Sequence, residues 1–88
     1  MFLHIGSDYV VPLEEVVFII DAALLNTSTT TRSFIERIKS EKQIIDLTEE
    51  SPKSYVITED KIIYSPISSG TLQRRGEVMK EIEKYNIY

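Results

Sequence analysis

The side chains able to do covalent or acid–base chemistry are few in this sequence, and they are not grouped. His4 is the single histidine, and there is no cysteine. A thiol nucleophile, a disulfide framework and a Cys/His zinc site are therefore excluded. No serine lies in a pattern typical of a nucleophile turn, and no third group is placed to orient His4. We expect His4, in a strand between Leu3 and Ile5, to be a hydrogen-bonded structural residue.

The carboxylates are also poorly arranged for catalysis. Neighbouring pairs lie in predicted turns at Glu14-Glu15, Glu49-Glu50 and Glu59-Asp60. Neighbours in a turn do not face each other across a cleft, so we interpret these pairs as solvated. Asp21 is the one carboxylate in an apolar segment, and we expect it near a strand end, bonded to the backbone. The isolated glycines form no phosphate-binding loop, and we predict a non-enzyme without a metal site or cofactor.

The basic residues offer recognition chemistry. Arg74 and Arg75 are the only adjacent bases and lie in a predicted helix, while Lys53 begins a predicted strand. The net charge of −4 does not suit a monomeric nucleic-acid binder, because phosphate affinity comes from Lys and Arg. An oligomer that presents one or two bases per copy along a DNA path would sum those contacts. Lys53, Arg74 and Arg75 are therefore candidate DNA-binding residues, and ordinary solubilising charge is the alternative.

Short β-type runs dominate the rest of the chain. Predicted strands cover Phe2–Ile5, Tyr9–Val11, Val16–Ala23, Ile44–Leu47, Lys53–Thr58 and Lys61–Ser65. The third strand is apolar almost throughout, and such a strand must be covered on both faces. We expect a helix to cover one face of this strand. The other face is covered either by another part of the same small domain or by a neighbouring subunit.

Two helices are predicted from capping residues and apolar periodicity. The first ends near Lys42, and its buried face is formed by Phe34, Ile35 and Ile38. Candidates for its N-cap are Thr30, Thr31 and Ser33.

The second predicted helix runs to about Tyr85 from a cap at Ser69 or Thr71. Its buried stripe is formed by Leu72, Met79 and Ile82, and Val78 lies at the margin of that stripe. Gly76 costs about 1 kcal/mol against alanine in a helix interior, so we expect close packing to require it.

The order of elements predicts one α+β domain over residues 1–88, with a small, mostly antiparallel sheet and two helices. A domain of this size buries only about 60–65% of its unfolded surface and gains from oligomerisation. The longest apolar run, Val16–Ile20, is far shorter than the roughly 20 residues that span a bilayer. We expect a cytoplasmic protein with no membrane partner and with a frayed end at Asn86–Tyr88.

Several short motifs carry a family resemblance. In order, they are His4-Ile5-Gly6, Asp8, Val10-Val11, Ser51-Pro52-Lys53-Ser54, Val56, Thr58, Tyr64-Ser65-Pro66, Ser68-Ser69, Thr71-Leu72 and Arg75. With these residues the chain resembles the RemB branch of the RemA/RemB extracellular-matrix (biofilm) regulators. The match extends over nearly the whole chain, although residues 24–50 agree only in character.

The resemblance implies a non-enzymatic regulator of matrix gene expression with a LytTR-like fold, acting as a ring-type homo-oligomer that binds DNA. In the RemA branch, arginines lie in the connection into the third strand and in the turn before the fifth. This sequence has Glu14 and Glu15 in the first place, and Glu49 and Glu50 in the second. The alternative is a protein-interaction module of the same fold, whose acidic turns dock a basic partner or a RemA-like protein.

Overall fold

The computed structural model describes the backbone of residues 1–85 and the side chains of residues 1–81. The elements, in chain order, are β1 (Phe2–Gly6), β2 (Tyr9–Pro12), β3 (Val16–Asp21), α1 (Thr29–Glu41), β4 (Gln43–Asp46), β5 (Ser54–Thr58), β6 (Lys61–Ser65) and α2 (Ser69–Tyr85). Short 3₁₀ turns at Leu13–Glu15 and Ala22–Asn26 flank β3. The α+β class with two helices is confirmed.

The strands form two sheets rather than the single sheet that we expected. β1 and β2 make an antiparallel hairpin, and the other strands form a sheet of order β3-β5-β6-β4. In the described part of the chain every pairing is antiparallel except that of β4 with β6. β4 joins the β5–β6 hairpin beside β6, so its direction opposes β5 and matches β6. Among the described residues, β3 and β4 are therefore the two unpaired edges of the four-stranded sheet.

The four-stranded sheet lies between two layers, each packed by alternate residues of its strands. Val56 and Ile63 face the β1–β2 hairpin and Leu72 of α2. Tyr55, Ile57 and Ile62 face Ile35 and Ile38 of α1. Val56 and Ile57 therefore lie on opposite faces of the sheet. The hairpin and α2 thus cover one face of the sheet, and α1 covers the other.

Two buried serines fix the corner between the hairpin, β6 and α2. Ser65 Oγ donates to the Ile5 carbonyl oxygen at 2.6 Å and accepts from Ile67 N at 3.0 Å. Ser54 Oγ donates to the Ile67 carbonyl oxygen at 2.7 Å. Buried hydroxyls are stable only when they are hydrogen-bonded, and these bonds satisfy them while joining distant segments. The start of α2 is therefore held against both sheets.

Both helix caps lie earlier than predicted. Ser28 Oγ accepts from Thr31 N at 3.1 Å, so α1 begins at Thr29 and the candidates Thr30, Thr31 and Ser33 are wrong. Ser68 Oγ accepts from Thr71 N at 3.3 Å, just before α2 begins at Ser69. In each Ser/Thr-rich run the first serine able to reach the N3 amide takes the cap.

The third strand ends sooner than predicted. Asp21 closes β3, and its carboxylate accepts from Ala23 N at 2.9 Å to cap the following 3₁₀ turn. The expected place of Asp21, at a strand end and bonded to the backbone, is confirmed. Ala22 and Ala23 therefore belong to the turn, because the side-chain bond of Asp21 competes with the ladder.

The predicted helix faces are confirmed in part. Ile35, Ile38 and Leu72 are buried, and Met79 packs against the core, but Phe34 is 36% exposed and Val78 is 55% exposed. Gly76 is buried, yet an added Cβ would lie 3.5 Å from Leu13 Cδ1, an ordinary contact, so glycine is not required there. The side chain of Ile82 and the segment 86–88 lie outside the described residues. No helix in the described part is long and apolar enough to cross a membrane.

Candidate interaction surfaces

The β1–β2 turn confirms the structural role expected for His4. Its Nε2 donates to the Ser7 carbonyl oxygen at 2.7 Å, across a turn in which Gly6 and Ser7 have positive φ angles of 131° and 48°. Arg75 Nη1 donates to the His4 carbonyl oxygen at 3.2 Å. Arg75 therefore ties α2 to the hairpin, and this contact was not predicted from the sequence.

The arginines lie together on an exposed side of α2. Arg74 and Arg75 line a shallow depression with Thr71, Val78 and Met79, and we call these five residues the arginine face. Successive residues of an α-helix are about 100° apart, so Arg74, Arg75 and Val78 share one flank of α2. The surface combines two guanidinium groups with a largely exposed valine, which suits a partner that is acidic and partly apolar.

Lys53 lies in a different depression. Its neighbours there include Glu49, Glu50 and Pro66. The backbone of Lys53 extends the β5 ladder, since its N–H donates to the Ser65 carbonyl oxygen at 2.9 Å and its carbonyl oxygen accepts from Ala22 N at 3.1 Å. The structure thus brings Arg74 and Arg75 together, but it places Lys53 apart from them and beside acidic residues.

Two of the three acidic pairs converge. Glu14, Glu15, Val17, Thr58, Glu59 and Asp60 line one depression, which we call the acidic depression. The pairing of β3 with β5, which sets Val16 opposite Thr58, brings the two turns together. This convergence was not predicted, because each acidic pair taken alone has the pattern of an ordinary solvated turn.

Asp60 is ionised at neutral pH in this depression. Its pKa is lowered, first by the hydrogen bond from the Lys61 ammonium group and also by that from the Thr58 hydroxyl. The Lys61 Nζ atom lies 3.1 Å from Asp60 Oδ2, and the pKa of Lys61 is correspondingly raised. The depression is therefore anionic although a lysine borders it. Among the described residues no cluster of three or more potential ligands could hold a metal ion.

The open edge of β3 exposes apolar side chains. Val17 is 57% exposed and Phe18 is 53% exposed. A bulge between Val16 and Phe18 breaks the ladder with β5 at this point. We call the groove between β3 and α2 the edge groove; its lining includes Val17, Phe18, Gln73, Gly76, Glu77 and Lys80. Among the residues whose side chains are described, 1–81, the cover expected on both faces of β3 is thus incomplete.

Phe18 and α1 meet near that edge without closing it. The rings of Phe18 and Phe34 are in edge-to-face contact, with centroids 6.1 Å apart. Aromatic pairs prefer this geometry. Both rings nevertheless remain partly in water, since Phe34 is 36% exposed. The apolar surface of the β3 edge therefore extends onto α1.

A cation–aromatic cluster packs the C-terminal end of α1 against β5 and β6. Lys39 Nζ lies 5.5 Å from the ring centroid of Tyr64 and 6.0 Å from that of Tyr55, whose rings form an edge-to-face pair. Burial lowers the pKa of Lys39, but Tyr64, Tyr55 and Glu36 outweigh that effect, so the pKa is raised. Burial raises the pKa of the Tyr55 phenol. The cluster therefore holds a charged Lys39 beside the paired rings of Tyr55 and Tyr64.

Comparison with known proteins identifies the family. A family model described as RemA-like, extracellular matrix regulatory protein A-like, matches residues 2–75. The chain belongs to the RemA-like family. It is 36% identical over 83 residues to Extracellular matrix regulatory protein B of Bacillus subtilis (strain 168), a match that covers 94% of this chain and 99% of that protein. The expected likeness to the RemB branch is thereby confirmed.

Several residues that carried the family resemblance build the fold of this RemA-like protein. Ser54 and Ser65 bind the backbone at the corner between the sheets. A Cβ added to Gly6 would lie 2.7 Å from Pro66 Cδ, so Gly6 lets the hairpin turn approach Pro66. Arg75 reaches back to β1. These contacts position the candidate surfaces, and Arg75 also lines one of them, the arginine face.

Proposed function

We propose that this RemA-like protein is a non-enzymatic regulator of extracellular-matrix gene expression that acts as a homo-oligomer in the cytoplasm. Its family and its likeness to Extracellular matrix regulatory protein B support the regulatory role. The observation that carries the oligomer is the open edge of β3, where Val17 and Phe18 are each more than half exposed. Native proteins usually cover such an edge, or use it to bind another chain.

A ring is the form of oligomer that we propose, on a LytTR-like fold. A contact between two different faces of the same chain closes into a ring when its rotation permits, and otherwise extends into a filament. Light scattering coupled to size-exclusion chromatography tests the oligomer directly. A mass that is a fixed multiple of 10.1 kDa is expected, and a monomer at every concentration would contradict the proposal.

DNA is the first candidate target, through Lys53, Arg74 and Arg75 repeated around the oligomer. The support is that these side chains belong to exposed residues and that each copy adds its phosphate contacts to those of the others. Fluorescence anisotropy with a labelled duplex at several salt concentrations tests it. The logarithm of affinity falls with the logarithm of salt by about 0.9 per phosphate contact. Arg74→Glu is expected to weaken binding and flatten that slope, whereas an oligomer that binds no DNA at low salt removes this candidate.

The second candidate is a protein-interaction module without direct DNA binding. The convergence of four carboxylates in the acidic depression favours it, as does the position of Glu49 and Glu50 beside Lys53. A basic partner fits such a surface, and a RemA-like protein is one possibility to assay. Titration of a purified RemA-like protein against wild type and against Glu15→Lys is the test. Equal affinity for both would contradict the acidic depression as the docking surface.

A further inference from the structure

The two flanks of α2 lead to surfaces of opposite charge. Arg74 and Arg75 lie on one flank, in the arginine face. The other flank lines the edge groove, where the charges of Glu77 and Lys80 offset each other. Val17 lines both that groove and the acidic depression, so the groove leads into four carboxylates. The surface on the first flank is therefore basic, and the surface that the second flank leads to is acidic.

Each of these sides also has an apolar centre. Val78 is 55% exposed within the arginine face, and Val17 and Phe18 are 57% and 53% exposed at the β3 edge. Stable protein interfaces combine a buried apolar centre with a polar, charge-complementary rim. The two sides of this chain thus have matching layouts with opposite charge. Neither side is complementary to itself, because each would bring like charges together.

Given the homo-oligomer proposed above, on which this step rests, we infer that the arginine face of one copy docks on the acidic depression and β3 edge of the next. The contact is heterologous, so copies add head to tail. Val78 of one copy contacts the apolar β3 edge of its neighbour, while Arg74 and Arg75 contact the four carboxylates of the acidic depression. This contact competes with the DNA-binding role proposed above for Arg74 and Arg75, because the same side chains cannot bind a neighbouring copy and DNA at once.

Charge reversal on each side tests the contact. Arg74→Glu with Arg75→Glu replaces both positive charges of the arginine face by negative ones, so that this face repels the acidic side of another copy. Glu14→Arg, Glu15→Arg and Glu59→Arg together leave Asp60 as the one carboxylate among the four positions of the acidic depression, so that the depression becomes positive and repels the arginine face. Each variant alone is expected to raise the dissociation constant of self-association at least about tenfold, since like charges in contact cost several kcal/mol. Sedimentation velocity over a concentration series measures this without DNA present.

Mixing the two variants gives the decisive result. The reversed face of each variant is complementary to the reversed face of the other, and the unaltered faces also match. An equimolar mixture is therefore expected to regain the wild-type mass, with the two variants alternating. Arg37→Glu and Glu41→Arg, on the exposed surface of α1, are the matched controls and are expected to leave the mass unchanged. Circular dichroism melts establish that every variant is folded.

The outcomes separate this contact from the proposals above. A wild type that is monomeric throughout overturns the homo-oligomer itself. An oligomeric wild type whose folded variants keep its mass overturns only the contact inferred here, as does a mixture that stays dissociated. If Arg74→Glu with Arg75→Glu weakens DNA binding but leaves the mass of the free protein unchanged, these arginines face DNA and the head-to-tail contact is wrong.

Discussion

Gly6 and Gly76 are both buried, yet their surroundings differ sharply. Gly6 has a φ angle of 131°, and a Cβ there would lie 2.7 Å from Pro66 Cδ. Side chains rarely adopt that backbone conformation, so both strain and collision oppose substitution. Gly76 lies inside α2, where a Cβ would make an ordinary 3.5 Å contact with Leu13. Only the first of the two positions needs glycine.

We predict that Gly76→Ala stabilises the protein. Alanine in a helix interior is about 1 kcal/mol more favourable than glycine, and the melting temperature should rise by about 4–8 °C for a domain of this size. Gly6→Ala is the matched comparison and should lower the free energy of unfolding. Urea unfolding followed by circular dichroism measures both. A loss of stability in Gly76→Ala would mean that α2 and Leu13 pack more tightly than the structure indicates.

At the scale of the element, the start of α1 depends on one hydroxyl. Ser28 Oγ accepts from Thr31 N, whereas Thr30 is exposed inside the helix. Ser28→Ala should therefore lower the free energy of unfolding by about 1 kcal/mol, because it leaves an amide of the first turn without its partner. Thr30→Ala should be neutral or slightly stabilising, since alanine has the higher helix propensity. The reverse order of the two effects, in the same denaturation assay, would place the cap at Thr30.

The turn after β4 gives stability a dependence on acid. The pKa of Asp46 is lowered, first by the hydrogen bond from the Thr48 hydroxyl and then by that from its backbone N–H. A carboxyl with a lowered folded-state pKa stabilises the fold above its unfolded pKa of about 3.9, and the effect is lost as pH falls through the folded value. Asp46→Asn should therefore flatten the decrease in melting temperature below about pH 4. An unchanged acid profile would show that the Asp46 charge does not contribute.

At the scale of the whole molecule, the features that were predicted correctly are those that depend on residues close together in the sequence. Periodicity found both helices and the buried Ile35, Ile38 and Leu72, and composition placed Asp21 at a strand end. The division into two sheets and the parallel pairing of β4 depend on contacts between distant segments, which no local pattern encodes. The register of each strand pair also depends on contacts between distant segments, because the sequence of one strand does not specify which residues of its partner it faces.

The candidate surfaces show the same limit. Arg74 and Arg75 were found as candidates because they are adjacent in the sequence, although successive helix positions point about 100° apart. The acidic depression was missed because it requires β3 to pair with β5 in a particular register, which brings Glu14 and Glu15 to Glu59 and Asp60. Lys53 was grouped with the arginines by charge, and the fold places it in another depression. Surfaces that combine several elements follow from topology rather than from composition.

The two open edges of the four-stranded sheet should contribute differently to self-association. Val17 on β3 and Ile44 on β4 are both exposed, at 57% and 46%, and each is apolar. The head-to-tail contact buries Val17 and leaves Ile44 in water. Val17→Ser should raise the dissociation constant of self-association about tenfold, from the lost burial of one valine side chain. Ile44→Ser should leave it unchanged, and sedimentation velocity measures both. If instead Ile44→Ser dissociates the oligomer and Val17→Ser does not, the copies associate through β4, and the charge reversals at Arg74 and Glu14 should then have no effect on mass.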